Sequence, residues 1–530
     1  MNFNIPKFNI NIPRITFKSN ENKHSNLTPN LKPIPNDSFE LSVGYINDVH
    51  GQTNNMMRIL SGIKGDLRLS AGDNDIGDEK NTGVRKATTT FLNIAGIHAS
   101  ALGNHELDTH QQDCANAIDN FNGKVLSVNY KQKPLEEHSE EEIAQLGLAD
   151  LDKHVQKSTV VEVKGEKIGI IGASPMDMFQ RLSHPNYYQD SKIDSLEETI
   201  EEIQDEIDDF KEQGINKVFL VSHLGYKRDR VVAKYAEGLD VIIGGHTHDM
   251  FEGIKEGENL VYSKKGDPVI ITQIGKDGHY FGELNLTFDK DGIITKAQNN
   301  IGKTGKFHKN MINQYLFDSY LGKPEVVGYV KQAPPPPVDL VAENPHANFV
   351  ADIMREETDS EIAIWQHAGV RNFFHEGVLD SSDVKDLAPF LDYVIVANVT
   401  EKAMIDMFNE SISRTFKSSS KKPGLFAVSG LKYTVDTKKG VLTKMTYIDK
   451  QGKEHEIDVN NPSPTKTYKV VADEFLMATG ADFKVLAEEK DFIEHFTFDK
   501  DYLVCEYLKK HKEPIVIEHT GRIDYENSEG

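Results

Sequence analysis

Seven side chains able to bind metal ions through oxygen or nitrogen recur through the first half of the chain in short clusters. Asp48 and His50 stand in D-V-H, Asp73 in G-D-N and Asn104 in G-N-H-E. His223 ends a hydrophobic run, and His246 and His248 stand in G-G-H-T-H. No thiolate belongs to the set, which suits Mn, Fe, Co, Ni or Zn better than a soft, thiophilic ion. Seven ligands are too many for one tetrahedral ion but fit two ions sharing a bridging carboxylate. Each cluster alone has an ordinary explanation. A D-x-H can be a turn plus a surface histidine, an H-x-H an exposed loop, and Asp73 or Asn104 a helix N-cap. The order of all five carries the reading. Glycines at 72, 103, 244 and 245 suit tight turns where backbone closely approaches a charged centre.

Each cluster follows a short apolar run. Residues 41–46, 67–70, 99–102, 125–128, 168–171, 218–221 and 241–243 read as buried strands, and 282–288 as a late one. Between them lie helical patterns. Leu196, Ile200, Ile203, Ile207 and Phe210 repeat at spacings of three and four. Ser195 and Glu198 form a capping box before them, and Gly214 supplies a stop. This alternation predicts an α/β layered architecture. In an open α/β sheet, ligands gather beyond the carboxyl ends of the strands, so all five clusters are expected on one edge.

At 530 residues the chain exceeds what one core usually supports, which predicts two domains. Residues 1–38 read as a disordered tail, with a docking strand at 10–17 as the alternative. The first domain is expected over 39–301, a linker with a proline spacer (KQAPPPP) over 302–337, and a second α/β domain over 338–524. In the second domain 348–355 reads as a helix, 362–365 and 394–399 as strands, and 411–422 as an exposed helix end or loop. A net charge of -23 argues against a nucleic-acid partner. No run of 18 apolar residues predicts a membrane span, and with no signal peptide evident the default location is cytoplasmic. Two cysteines, Cys114 and Cys505, build neither a disulfide framework nor a thiolate zinc site and read as inert packing residues.

Taken together, D-x-H, G-D-N, G-N-H-E, a lone His and G-G-H-T-H resemble the calcineurin-like metallophosphoesterases. The later stretches ENPHANFVADIMREETDSEIAIWQHAGVR (343–371), GLFAVSGL (424–431) and GADF (480–483) resemble the C-terminal domain of the two-domain branch. That branch comprises the 5'-nucleotidases, 2',3'-cyclic phosphodiesterases and UDP-sugar hydrolases. The resemblance implies a calcineurin-like sandwich followed by a second α/β domain. It assigns Asp48, His50, Asp73 and His248 to one metal and Asp73, Asn104, His223 and His246 to the other, with Asp73 as the bridge. Two such ions activate a water and clamp phosphoryl oxygens during in-line displacement.

By the same resemblance His105 and Asp108 are the catalytic pair, the imidazole stabilising charge on the phosphoryl or leaving oxygen while the carboxylate orients it. A further metal ligand is the alternative for His105. Arg371 matches an arginine that grips phosphate or carboxylate with its planar fork. Phe426 and Phe483 match an aromatic pair around a base, and Asp482 an acid contacting the nucleoside, with core packing the alternative for both rings. Three departures stand out. Gln366-His367-Ala368-Gly369 replaces an Asn and consecutive glycines, Ala481 replaces a glycine in a segment one residue shorter, and no arginine lies near Glu343. The expected function is a dimetal phosphoester hydrolase releasing phosphate from nucleoside 5'-monophosphates. The alternatives are a cyclic phosphodiesterase, a UDP-sugar hydrolase, a phosphatase of another small metabolite, or a non-catalytic binding protein that keeps the fold.

Overall fold

The computed structural model describes residues 38–75, 82–182, 185–335, 337, 339–390, 392–417, 423–477 and 490–527. Residues 1–37, with the expected tail and its alternative strand, lie outside that set. The first domain is built on two six-stranded sheets. One runs in the order Ile294–Lys303, Tyr280–Phe288, Phe39–Ile46, Leu67–Ser70, Ala99–Ala101, Lys124–Leu126. The other runs Leu260–Tyr262, Pro268–Thr272, Val241–Gly244, Val218–Ser222, Glu166–Ala173, Ser158–Val163. Leu41, Val43, Leu69 and Ala101 from the first pack against Ile170, Phe219, Val221 and Ile243 from the second, forming the middle of a sandwich.

The strands that lead to the five clusters are divided between two facing sheets, as the expected sandwich requires. Runs that are apolar on both faces carry no mark of which sheet they join, because both faces are covered in either case. Within each sheet the neighbours that lead to the ligand clusters are parallel, so their carboxyl ends meet at one end of the sandwich. The Leu196–Glu212 helix covers the outer face with Ile203, Ile207 and Phe210. Its capping box is formed. Ser195 N donates to Glu198 Oε2 at 2.8 Å, and Glu198 N to Ser195 Oγ at 3.3 Å.

The second domain centres on a five-stranded sheet ordered Phe426–Ser429, Ile362–Gln366, Thr467–Asp473, Tyr393–Thr400, Lys490–Asp499. The Pro345–Glu357 and Lys500–Lys510 helices cover one face. The Glu401–Lys417 helix and a small four-stranded sheet cover the other. The Glu401–Lys417 helix includes much of the stretch expected to be exposed. Its Ser411, Ile412 and Thr415 are buried, because the polar sequence there is only the outer half of an amphipathic pattern.

The 302–337 connector carries more structure than a spacer. Its Gln314–Leu321 helix inserts Phe317 into the first domain's core. Its Val326–Gln332 strand pairs with Gly377–Asp380 and Ile515–Val516 of the second. Only residues 322–325 separate that helix from that strand. Among the described residues, no helix is long and apolar enough to cross a membrane.

Candidate dimetal site

All seven expected ligands lie at the shared end of the two sheets. Six of them form closely spaced acid–histidine groups. Asp48, His50 and His248 make one triad and Asp73, His223 and His246 another. A third, of His50, Asp73 and His105, joins the two. His223 Nε2 lies 3.0 Å from Asp73 Oδ2 and 3.8 Å from Asp48 Oδ1, and His248 Nε2 lies 3.4 Å from Asp48 Oδ1. The seventh is Asn104, whose Oδ1 is buried with no hydrogen-bond partner among the described residues. An unpaired buried acceptor beside acidic ligands is what a cation would satisfy.

The local backbone is shaped around these groups. Nine non-glycine residues have positive φ among the described residues, and Asp48, His50, Asp73, His246, His248 and Asp277 are six of them. That strain is held by a ladder between two loops, in which Asp48 N donates to Gly72 O, His50 N to Asp73 O and Gly51 N to Asn74 O, at 2.9–3.0 Å. Two glycines are required by space. A Cβ on Gly103 would fall 2.2 Å from Asp73 Oδ1, and one on Gly245 2.8 Å from His223 Nδ1.

The imidazoles are aimed by partners on their far nitrogens. His50 Nδ1 donates to Asp277 at 2.8 Å, His223 Nδ1 to the Ala71 carbonyl at 2.6 Å, and His246 Nε2 to Asp177 at 2.9 Å. His50 and His223 thereby turn Nε2 toward Asp48 and Asp73, as metal-ligating histidines do. Electrostatics points the same way. Burial alone would raise the pKa of Asp73, yet the charges of His223 and His105 outweigh it and hold that carboxyl well below its usual range. Burial likewise opposes protonation of His223, but Asp73 and Asp48 override it and push the imidazole up to about 10. The pocket demands positive charge, which divalent ions supply by displacing such protons.

Beside these groups, His105 Nδ1 donates to Asp108 Oδ2 at 2.5 Å, and its backbone N–H donates to Asp73 Oδ1 at 2.8 Å. Asp73 and Asp108 push His105 up to about 9 against the effect of burial. From the second domain Arg371 reaches this cleft. Its Nη1 lies 3.9 Å from Asp277 Oδ1, its Cζ 5.5 Å from the Phe390 ring centre, and its buried Nε has no partner among the described residues.

Comparison with known proteins gives this arrangement a family. Residues 41–250 match the calcineurin-like phosphoesterase model, and residues 326–488 match the 5'-nucleotidase C-terminal domain. This chain joins those two domains. It carries a calcineurin-like phosphoesterase domain, of a family that works through a dimetal centre, followed by a 5'-nucleotidase C-terminal domain. The trifunctional nucleotide phosphoesterase protein YfkN of Bacillus subtilis is 24% identical over 510 residues, covering 87% of this chain and 33% of its own. The chain thus spans about one third of that relative. A 5'-nucleotidase of Diplobatis ommata is 24% identical over 531 residues, covering 89% of this chain and 88% of its own. Among solved structures, a 5'-nucleotidase precursor from Thermus thermophilus shares the fold with a TM-score of 0.66 at 22% identity, covering 93% of this chain and all of that one.

Of the remaining expected residues in the 5'-nucleotidase C-terminal domain, Phe426 lies among the described residues. Phe426 is 1% exposed and packs edge-on against Phe408 with ring centres 5.0 Å apart, so its surroundings are those of a core residue. Asp482 and Phe483 lie outside the described residues.

Sequence reasoning passed over four groups in the metallophosphoesterase domain. Glu106 accepts from the backbone N–H groups of Asp73, Asn74 and Gly103 at 3.0, 2.8 and 3.0 Å, tying two ligand loops together. Asn47 donates to Asp48 Oδ2 at 2.7 Å. Asp277 and Asp177 orient histidines. Glu106 and Asn47 flank recognised motifs and could have been noticed there. Asp277 and Asp177 stand in ordinary loops with no local signal.

Proposed function

We propose that this protein releases phosphate from nucleoside 5'-monophosphates at the junction of its two domains. The observation that carries the reading is the meeting of two acid–histidine triads, drawn from both sheets, with an arginine fork from the other domain. In this reading Asp48, His50, Asp73 and His248 hold one ion, and Asp73, Asn104, His223 and His246 the other. The ions, when bound, supply a water nucleophile and neutralise phosphoryl oxygens.

The chain's own groups do the rest. His105, kept protonated by Asp108, places an N–H where charge develops on the phosphoryl or leaving oxygen. Arg371 offers unfilled donors to the phosphate and fixes its distance from the metal ligands. The names of the two relatives above support a nucleotide substrate.

A broader substrate range has its own support. Gln366-His367-Ala368 departs from the consecutive glycines of the branch, and Phe426 presents no open face here. The test is a panel of AMP, UMP, 2',3'-cAMP, UDP-glucose and p-nitrophenyl phosphate on the full chain reconstituted with Mn, alongside elemental analysis. Preferential turnover of AMP or UMP supports the proposal. Preference for the cyclic or diphosphate substrate transfers it to the broader reading. Two ions per chain with no turnover of any ester leaves a binding protein.

A further inference from the structure

We propose that Asp277 is a positioning residue whose single carboxylate oxygen aims the metal-facing His50 and also holds Arg371 in the cleft. The inference rests on Arg371 being the phosphate arm. Asp277 lies in the turn between Pro268–Thr272 and Tyr280–Phe288 and is 2% exposed. Its φ of 57° is fixed from both sides. Its N–H donates to the Asp48 carbonyl at 2.6 Å, and its own carbonyl accepts from Asn55 Nδ2 at 2.9 Å. The backbone from which the side chain projects is thus held in place on both sides of the residue.

Oδ1 accepts from His50 Nδ1 at 2.8 Å, which turns His50 Nε2 toward Asp48 and Asp73. The same Oδ1 lies 3.9 Å from Arg371 Nη1, while Oδ2 is engaged by Lys276 Nζ at 3.2 Å. A separation of 3.9 Å is beyond hydrogen-bond reach but well within the range where opposite charges shielded from water attract strongly. The guanidinium is therefore steered without having its donors consumed, and its Nε remains unpaired among the described residues. A phosphate entering the cleft meets an arm already oriented, so less ordering is charged against binding. One carboxylate thus registers the first domain's ligand loop and the second domain's arm against each other.

The test uses the full chain reconstituted with Mn, p-nitrophenyl phosphate as substrate and inorganic phosphate as competitive inhibitor. Asn and Gly both accept positive φ, so Asp277→Asn and Asp277→Gly avoid backbone strain. Asp277→Asn keeps an acceptor for His50 and removes the charge. It is expected to retain two ions per chain and a kcat within about 2-fold, while KM and the phosphate Ki rise about 10-fold. Asp277→Gly removes both roles and is expected to weaken metal retention by roughly 10- to 100-fold. On an Arg371→Ala background, Asp277→Asn should change KM by less than about 2-fold, since the partner is gone.

Metal loss by Asp277→Asn equal to that of Asp277→Gly overturns the proposal, as does a KM effect that simply multiplies with that of Arg371→Ala. If Arg371→Ala alone leaves KM and Ki unchanged, the phosphate-arm reading fails first and takes this one with it. That result is distinct from a raised KM without coupling, which sinks only the role of Asp277.

Discussion

Replacing Gly103 by Ala should disable the site without altering any ligand. An added Cβ would stand 2.2 Å from Asp73 Oδ1, 2.5 Å from Asp73 N and 2.8 Å from Glu106 Oε2, where ordinary contact begins at 3.4 Å. Relief of the first clash alone, from 2.2 to 3.4 Å, moves the carboxylate by about 1.2 Å. Asp73 cannot turn aside freely, because Oδ1 accepts from His105 N at 2.8 Å and Oδ2 faces His223 Nε2 at 3.0 Å. Metal–ligand distances hold to roughly 0.2 Å, so the shift exceeds that tolerance several-fold. A displacement of about 1 Å in a reacting constellation costs on the order of 100-fold in rate.

Gly103 is absent from the positive-φ residues, so alanine can adopt its backbone and the fold should persist. Gly305→Ala, which meets nothing within 4 Å, is the control. The assay is elemental analysis and kcat/KM after Mn reconstitution, with circular dichroism to confirm folding. Gly103→Ala should lose at least about 100-fold in kcat/KM together with bound metal, and Gly305→Ala neither. A folded Gly103→Ala protein with two ions and wild-type turnover would show that Asp73 is not held where this reasoning needs it.

Glu106→Gln leaves one acceptor oxygen where the carboxylate offers two to three backbone donors. Metal affinity should fall roughly 10- to 100-fold with little change in helix content, and an unchanged Mn titration counts against the loop-tying role. The Thr53–Gly62 helix lacks a side-chain cap from Gln52 and takes one across the domain boundary. Its Asn54 N and Thr53 Oγ1 donate to Asp386 at 2.9 and 3.1 Å. Asp386→Ala should cost about 1 kcal/mol in the first unfolding transition and expand the scattering profile, and identical urea midpoints and profiles refute it. Burial pushes His346 and His367 down to about 4. Between about pH 6.5 and 4 the unfolded chain therefore takes up protons that the native one refuses, so stability falls as pH drops through that window. The loss is at most about 3 kcal/mol per histidine. His346→Gln should flatten the dependence, and parallel pH curves for variant and parent rule it out.

The clustering of the seven candidate ligands was legible because they sit immediately after apolar runs, where chain direction alone fixes which end of a strand they occupy. Asp48, Asp73 and Asn104 needed only their own neighbours to be placed. What stayed hidden depends on pairing across distance. The division of strands between two sheets left no trace in runs buried on both faces. Asp277 and Asp177 matter through histidines more than 65 positions away in the chain. Nor does composition reveal whether an aromatic lines a pocket or fills a core, and Phe426 shows how little its GLFAVSGL context decides. Ser411–Lys417 misled for a simpler reason, since an amphipathic helix shows the same polar residues as a loop when only half a turn is considered.

The four residues between the Gln314–Leu321 helix and the Val326–Gln332 strand have an energetic consequence. A tether that short keeps each domain at an effective concentration of the order of millimolar near the other, as short linkers do. Contacts that would be negligible between separate molecules, such as Asn372 Nδ2 on Gln52 Oε1 at 3.0 Å or Ser382 Oγ on Asn54 Oδ1 at 3.2 Å, become sufficient to keep the halves together. Severing the chain at residues 322–325 would turn that intramolecular equilibrium into a bimolecular one, and the association would then depend on dilution.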